Sequence, residues 1–138
     1  MKVVLDTWIR LSDATIGTDG RIVLPAPPAL PGVYRFRLLG RTPSVYIGET
    51  DQLPRRFAQY RNPGPSQRTN IRLNDRIRQH LAAGEHIAIE VVTAARVEVG
   101  AARETLDLAR KSHRMLAEEA ALEEARMGAM GTVENFGG

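Results

Sequence analysis

Gly32-Val33-Tyr34-Arg35-Phe36-Arg37-Leu38-Leu39-Gly40-Arg41-Thr42-Pro43-Ser44-Val45-Tyr46-Ile47-Gly48 is the stretch on which the fold turns. Residues 33–39 mix β-branched, aromatic and aliphatic side chains with arginines, which reads as a strand. Gly40-Arg41-Thr42-Pro43 carries turn chemistry, and residues 45–48 read as a second strand. The two runs predict a hairpin that brings Tyr34 and Tyr46 onto neighbouring strands about 4.8 Å apart.

Working outward, Thr50 or Asp51 is positioned to cap a helix that has Pro54 in its first turn and carries Arg55, Arg56, Phe57 and Tyr60. Asn62-Pro63-Gly64-Pro65 ends it. A second helix is expected from about Thr69 or Asn70, with Leu73, Ile77 and Leu81 as its buried stripe and Gly84 at its close. Residues 86–93 read as a third strand. Residues 103–127, dense in Ala, Leu, Glu and Arg, read as the longest helix. Before the hairpin, residues 2–5 and 21–24 are strand-like, and the proline-rich 25–31 is a stiff linker. The expected class is α+β, a small three-stranded antiparallel sheet flanked by helices. The expected organisation is an N-terminal extension over 1–31 and a domain over 32–138.

The 138 residues suffice for one domain with its own core. The absence of cysteine excludes disulfides, thiolate nucleophiles and zinc–cysteine sites, and fits a reducing, cytoplasmic setting. No apolar run is long enough for a signal peptide or a membrane span, so no membrane partner is expected. No Gly-rich phosphate loop or dinucleotide fingerprint follows a strand. His80, His86 and His113 fall at no metal-ligand spacing and read as structural or surface residues.

The net charge of +3 hides an asymmetry: residues 1–80 hold 13 Lys/Arg against 6 Asp/Glu, and the remainder 6 against 10. Arg55, Arg61, Arg68, Arg72 and Arg76 crowd one stretch. They are candidate contacts to a nucleic-acid backbone, since guanidinium groups fork onto phosphate oxygens. A merely solvated helix face explains the same arginines.

Placed at 100° steps along a helix, Leu108, Met115 and Leu122 share an arc, and Glu119 falls within it. A carboxylate on an apolar stripe needs either a cation at a cleft edge or an ion pair with Arg114 or Arg126.

The two strand strings Gly32-Val33-Tyr34 and Tyr46-Ile47-Gly48, with Val33 in place of isoleucine, resemble the paired signature of the GIY-YIG nuclease superfamily. Arg56, ten residues past Tyr46, matches the family's helical arginine, and Glu119-Ala120-Ala121-Leu122 matches its metal-binding glutamate motif. Asn135 takes the place of the closing asparagine, and Tyr60 stands where several relatives have histidine. The resemblance spans residues 31–136. It implies an endonuclease that hydrolyses DNA phosphodiester bonds with Mg²⁺ (or Mn²⁺). Tyr34 would be the general base, Tyr46 and Tyr60 would orient water or phosphate, Arg56 would clamp the phosphate, and Glu119 would be the metal ligand. Relatives include homing endonucleases, restriction enzymes and the incision subunit of excision repair. DNA is the implied partner, with a specificity or recruiting protein and a homodimer as further options. Position 49 departs from the family, which is often basic or small there. A second carboxylate near the phosphate motivates the alternative of a catalytically weak nucleic-acid-binding module. As side chains alone, Tyr34, Tyr46, Phe57 and Tyr60 also read as an aromatic core cluster, and Arg55 competes with Arg56.

Overall fold

The hairpin lies at the centre of the main sheet. The computed structural model describes residues 1–135; the last three residues of the expected 32–138 domain lie outside the described residues. In chain order the elements are β1 (Lys2–Leu5), β2 (Ile9–Arg10), β3 (Thr15–Ile16), β4 (Ile22–Val23), β5 (Gly32–Leu38), β6 (Ser44–Thr50), α1 (Leu53–Arg61), α2 (Arg68–Ala82), β7 (Ile87–Val92), β8 (Ala95–Val99), β9 (Ala102–Thr105), α3 (Lys111–Met127) and β10 (Thr132–Glu134).

The class is α+β, but the sheet is larger than expected. The antiparallel trio β6-β5-β7 is extended by β10, parallel to β6, and by β2, antiparallel to β7, giving the order β10-β6-β5-β7-β2. A separate sheet has the order β1-β8-β9, and β3 pairs with β4. The added strands β2 and β10 have two and three residues, too short for a period-2 pattern to reveal them.

Residues 1–31 contribute to both main sheets. β1 pairs with β8 and β2 with β7, while Ala14, Ile22 and Leu24 are buried in the core. The expected helix over 103–127 begins instead at Lys111. Residues 102–105 form β9, hairpinned to β8 around Gly100, which has φ +59°. Ala102, Arg103 and Glu104 favour a helix in isolation; pairing with β8 overrides that preference.

Helices cover the main sheet on both faces. Tyr34, Phe36, Leu38, Tyr46, Ile89 and Val91 point toward α1 and α2 and meet Phe57, Tyr60, Leu73 and Ile77. Val33, Val45, Ile47 and Val92 point toward α3 and meet Ala117, Ala121, Leu122 and Ala125. This two-sided cover explains why β6 is buried along its whole length.

One strand arginine, Arg35, is accommodated under α3. Buried Arg35 donates from Nε to Glu90 Oε1 and from Nη1 to Glu124 Oε1, both at 3.0 Å. Its guanidinium stacks 3.9 Å from the centroid of the Trp8 ring, a cation–π contact that helps hold the charge out of water. His80 joins two strand ends, its Nε2–H donating to the Leu39 carbonyl at 2.7 Å. His113 Nδ1 accepts from the Asp107 N–H at 2.8 Å, just before α3.

Candidate active site

The site begins with the register of the hairpin. Tyr34 is paired with Gly48, and Phe36 with Tyr46. Alternation therefore puts Tyr34 and Tyr46 diagonally on one face, with ring centroids 6.4 Å apart. Gly48 is what lets Tyr34 lie flat across the strand, since a Cβ at position 48 would collide with the phenol ring and its hydroxyl. Gly32 plays a related part: a Cβ there would come within 2.6 Å of the Val92 carbonyl oxygen. The outer glycines of the two strings are thus explained by packing.

α1 follows β6 after two residues and lies over this face. Leu53, Phe57 and Tyr60 form its buried stripe. Arg56 and Tyr60, one turn apart, face the strand tyrosines, and Arg56 donates a hydrogen bond to Tyr60. The Tyr60 hydroxyl is hydrogen-bonded to that of Tyr34 and lies 3.5 Å from that of Tyr46. Arg55 points outward and pairs with Asp51, so of the two arginines Arg56 is the one that lines the cavity. Among the described residues Arg56 forms no ion pair with a carboxylate, and its nearest charged or polar influences are the phenols of Tyr34, Tyr60 and Tyr46.

Glu119, the expected metal ligand, does not line the cavity, whereas its neighbour Glu118 does. Glu119 is on the outer surface of α3, its side chain 65% exposed and 3.9 Å from Arg126. Glu118 points inward, 9% exposed, and its Oε2 is buried with no hydrogen-bond partner. The wheel reading fails for two reasons. Leu108 precedes α3, so it cannot fix the buried arc, and Met115 is exposed. The true stripe runs through Arg114, Ala117, Glu118, Ala121, Leu122 and Ala125. Its alanines carry little weight in a hydrophobicity pattern, yet they allow α3 to sit close on the sheet.

These groups converge on a cavity of about 190 Å³ lined by Tyr34, Tyr46, Gly48, Arg56, Glu118 and Asn135, with Glu49, Thr69 and Lys111 at its walls. Asn135, just after β10, hydrogen-bonds Glu118. Parallel pairing of β10 with β6 brings it there, and Arg76 anchors that strand through Glu134 and through Ser44 Oγ at 3.1 Å. Arg76 is thereby a structural tie. Arg68 and Arg72 are exposed on α2, beside the lining residue Thr69, and Arg61 is half-buried at the end of α1.

The protonation states follow from burial. The Tyr34 hydroxyl, on a residue only 1% exposed, is held well above the ordinary phenol range. Burial is the main cause, helped by neighbouring Tyr60 and Tyr46 and opposed by Arg56. Tyr46 is raised in the same way. The Glu118 carboxyl is pushed up by burial and by nearby Glu49, against the Asn135 hydrogen bond. Burial also pushes Glu49 up, but hydrogen bonds from Lys111 and Arg114 outweigh it and hold the carboxyl below its usual value. Arg56 stays charged: burial disfavours its cation, but the phenols of Tyr34 and Tyr60 more than compensate.

Glu49 therefore does not confront the cavity as a free anion. Its Oε1 is paired with Lys111 and its Oε2 accepts from Arg114 Nε at 2.6 Å. Arg114 Nη1 in turn donates to the carbonyls of Leu108 and Ala109, at 3.1 and 3.0 Å.

The donor set suits one hard divalent cation. Glu118 offers a buried, unpartnered carboxylate oxygen, and Asn135 lies beside it. No group of three or more His, Cys, Asp or Glu side chains able to hold a metal occurs among the described residues. A single carboxylate is the donor set of a Mg²⁺ ion that keeps most of its waters.

Sequence reasoning missed Lys111 and Thr69, and it put Glu118 on the flank of the apolar arc, behind Glu119. The 117-121-125 alanine spacing was the available sign for Glu118. Lys111 had no comparable sign, because it depends on where α3 starts.

The sheet and its covering helices make an α+β fold that has a solved counterpart. A solved structure of a bacteriophage T4 EndoII mutant shares it, with a TM-score of 0.53, 16% sequence identity and 88% of each chain covered. At that identity the likeness is one of fold. No protein-family model matches the chain, and no curated protein sequence does.

Proposed function

We propose that this chain is a metal-dependent endonuclease of the GIY-YIG kind that hydrolyses DNA phosphodiester bonds. One observation carries the reading: Tyr34, Tyr46, Arg56, Glu118 and Asn135, drawn from four separate elements and the segment after β10, line a single cavity that contains an unpartnered carboxylate oxygen. The shared fold with the phage EndoII supports it.

In this mechanism Arg56 grips the non-bridging oxygens of the scissile phosphate and stabilises charge as it builds there. Tyr34 accepts the proton of the attacking water, whose oxygen bonds to phosphorus as the opposite P–O bond breaks. Tyr46 holds water and phosphate in line, and Tyr60, buried behind the cavity wall, links Arg56 to Tyr34 through hydrogen bonds. Glu118, with Asn135 beside it, would hold the divalent cation in place of Glu119. When bound, a Mg²⁺ or Mn²⁺ ion would polarise the phosphate and stabilise the leaving oxygen. It would also favour the Tyr34 phenolate, which burial otherwise opposes.

The alternative of a weak binding module rested on Glu49 repelling the phosphate. Pairing of that carboxylate with Lys111 and Arg114 weighs against such repulsion and supports the nuclease reading. Incubating the protein with supercoiled plasmid and a branched oligonucleotide, in Mg²⁺ or EDTA, tests the reading. Metal-dependent nicking by the wild type is expected, and salt-sensitive binding without cutting in any divalent metal would overturn it.

A further inference from the structure

The first turn of α3 carries a charge pattern that a helix does not favour. Arg110 precedes the helix, Lys111 opens it, Arg114 completes the turn, and no acidic residue is present there. The positive end of the helix dipole repels such cations. The compensating charge comes from β6: Glu49, buried between them, takes Lys111 on one oxygen and Arg114 on the other.

The two cations differ in what remains to them. Arg114 is buried and committed, its guanidinium divided between Glu49 and two backbone carbonyls. Lys111 lines the cavity with its side chain 57% exposed. An ammonium has three donors, and Glu49 engages one. The Glu49–Lys111–Arg114 group is net positive, and Lys111 is the part of it that solvent reaches.

Lys111 and Arg56 also approach from opposite sides. Arg56 belongs to the helix over the Tyr34 face of the sheet, and Lys111 to the helix over the Val33 face. Both line the same cavity of about 190 Å³, so a strand whose scissile phosphate sits against Arg56 has Lys111 at the wall of that cavity.

We propose that Lys111 is a phosphate-binding residue that holds a nucleic-acid phosphate next to the scissile one, with Glu49 as the positioning residue that aims its ammonium into the cavity. The proposal rests on the nuclease reading above and names a contact within it. Glu49, the departure from the family pattern, thereby places a cation at the cavity wall through its partner.

The test is salt-dependent binding to a duplex oligonucleotide in EDTA, measured by fluorescence anisotropy over a range of KCl concentrations. Wild type, Lys111→Gln and Lys111→Arg are compared. Arg114 still holds Glu49 in both variants, and circular dichroism melts verify that they fold. Loss of one phosphate contact reduces the slope of log K against log[KCl] by about one unit in Lys111→Gln. Lys111→Arg is expected to restore it. A second arm follows plasmid nicking in Mg²⁺. If wild type nicks and Lys111→Gln keeps the full slope, the Lys111 assignment is wrong while the nuclease reading stands. If wild type neither binds nor nicks, both are wrong. If Lys111→Arg is as impaired as Lys111→Gln, the residue acts through packing at the helix start and the phosphate assignment is overturned.

Discussion

Gly48 and Tyr34 face each other across the β5–β6 ladder, and the phenol ring occupies the space a side chain at position 48 would need. The glycine of one strand is thus the seat for the tyrosine of the other. Gly48→Ala is expected to force Tyr34 out of its contact with Tyr60. Overpacking of this kind costs about 1–3 kcal/mol, readable as a lower urea midpoint, and cutting should fall more steeply than stability. Unchanged stability and activity would mean that the ring has room to move.

Glu118 and Glu119 are adjacent in sequence and opposite in surroundings, so they separate cleanly by mutation. Glu118→Ala should lose metal-dependent cutting by roughly 100-fold or more, the scale for removing a group that stabilises transition-state charge. Its folding stability should hold or rise, because a buried carboxylate with an unpartnered oxygen is removed. Glu119→Ala should cut like wild type, having lost only an exposed ion pair. The reverse ranking in a plasmid-nicking assay would return the metal to Glu119.

Glu49 gives a pH signature. Its folded carboxyl titrates below its ordinary value despite burial, because Lys111 and Arg114 hydrogen-bond the anion. A depressed pKa contributes stability that is present above the unfolded value of about 4.3 and is lost as pH falls through the lower folded value. Glu49→Gln leaves buried Arg114 without its carboxylate, a loss of about 3 kcal/mol at pH 7. The difference between variant and wild type should shrink below pH 4.3 or so. Urea unfolding at pH 7 and at pH 3 checks this, and an equal difference at both would show that Glu49 is not the titrating group.

Tyr34 predicts an alkaline rise. With its hydroxyl held above the usual phenol range, little phenolate exists at neutral pH, so cutting by a phenolate base should climb with pH across neutrality. No plateau is expected below about pH 9 unless bound metal lowers the hydroxyl. Tyr34→Phe should lower the rate by about 10²–10⁴-fold, the span for a general base. Near-normal cutting by Tyr34→Phe would move the proton to another acceptor.

Much of this molecule is legible in the chain. The hairpin, α1 and α2 follow from local rules: β-branched and aromatic runs around a glycine–proline turn, Pro54 in a first turn, and Leu73 and Ile77 at four-residue spacing. Tyr34, Tyr46 and Arg56 could be picked out because their strings are short and their spacing is set by one hairpin and one helix turn.

The rest depends on partners distant in sequence. β9 is a strand only because β8 pairs with it, against the helix preference of Ala102, Arg103 and Glu104. β10 exists only through parallel pairing with β6, and that pairing delivers Asn135 to the cavity. The inward face of α3 follows from alanines packing against Val33, Val45 and Ile47, and one residue of helical rotation, about 100°, separates a buried Glu118 from an exposed Glu119. Local sequence determined the hairpin, α1 and α2 and which tyrosines and arginine meet, since these depend on neighbours within a few turns. Tertiary packing alone decided which carboxylate enters the site and that Glu49 arrives already paired, because rotation, burial and charge pairing are properties of the assembled layers.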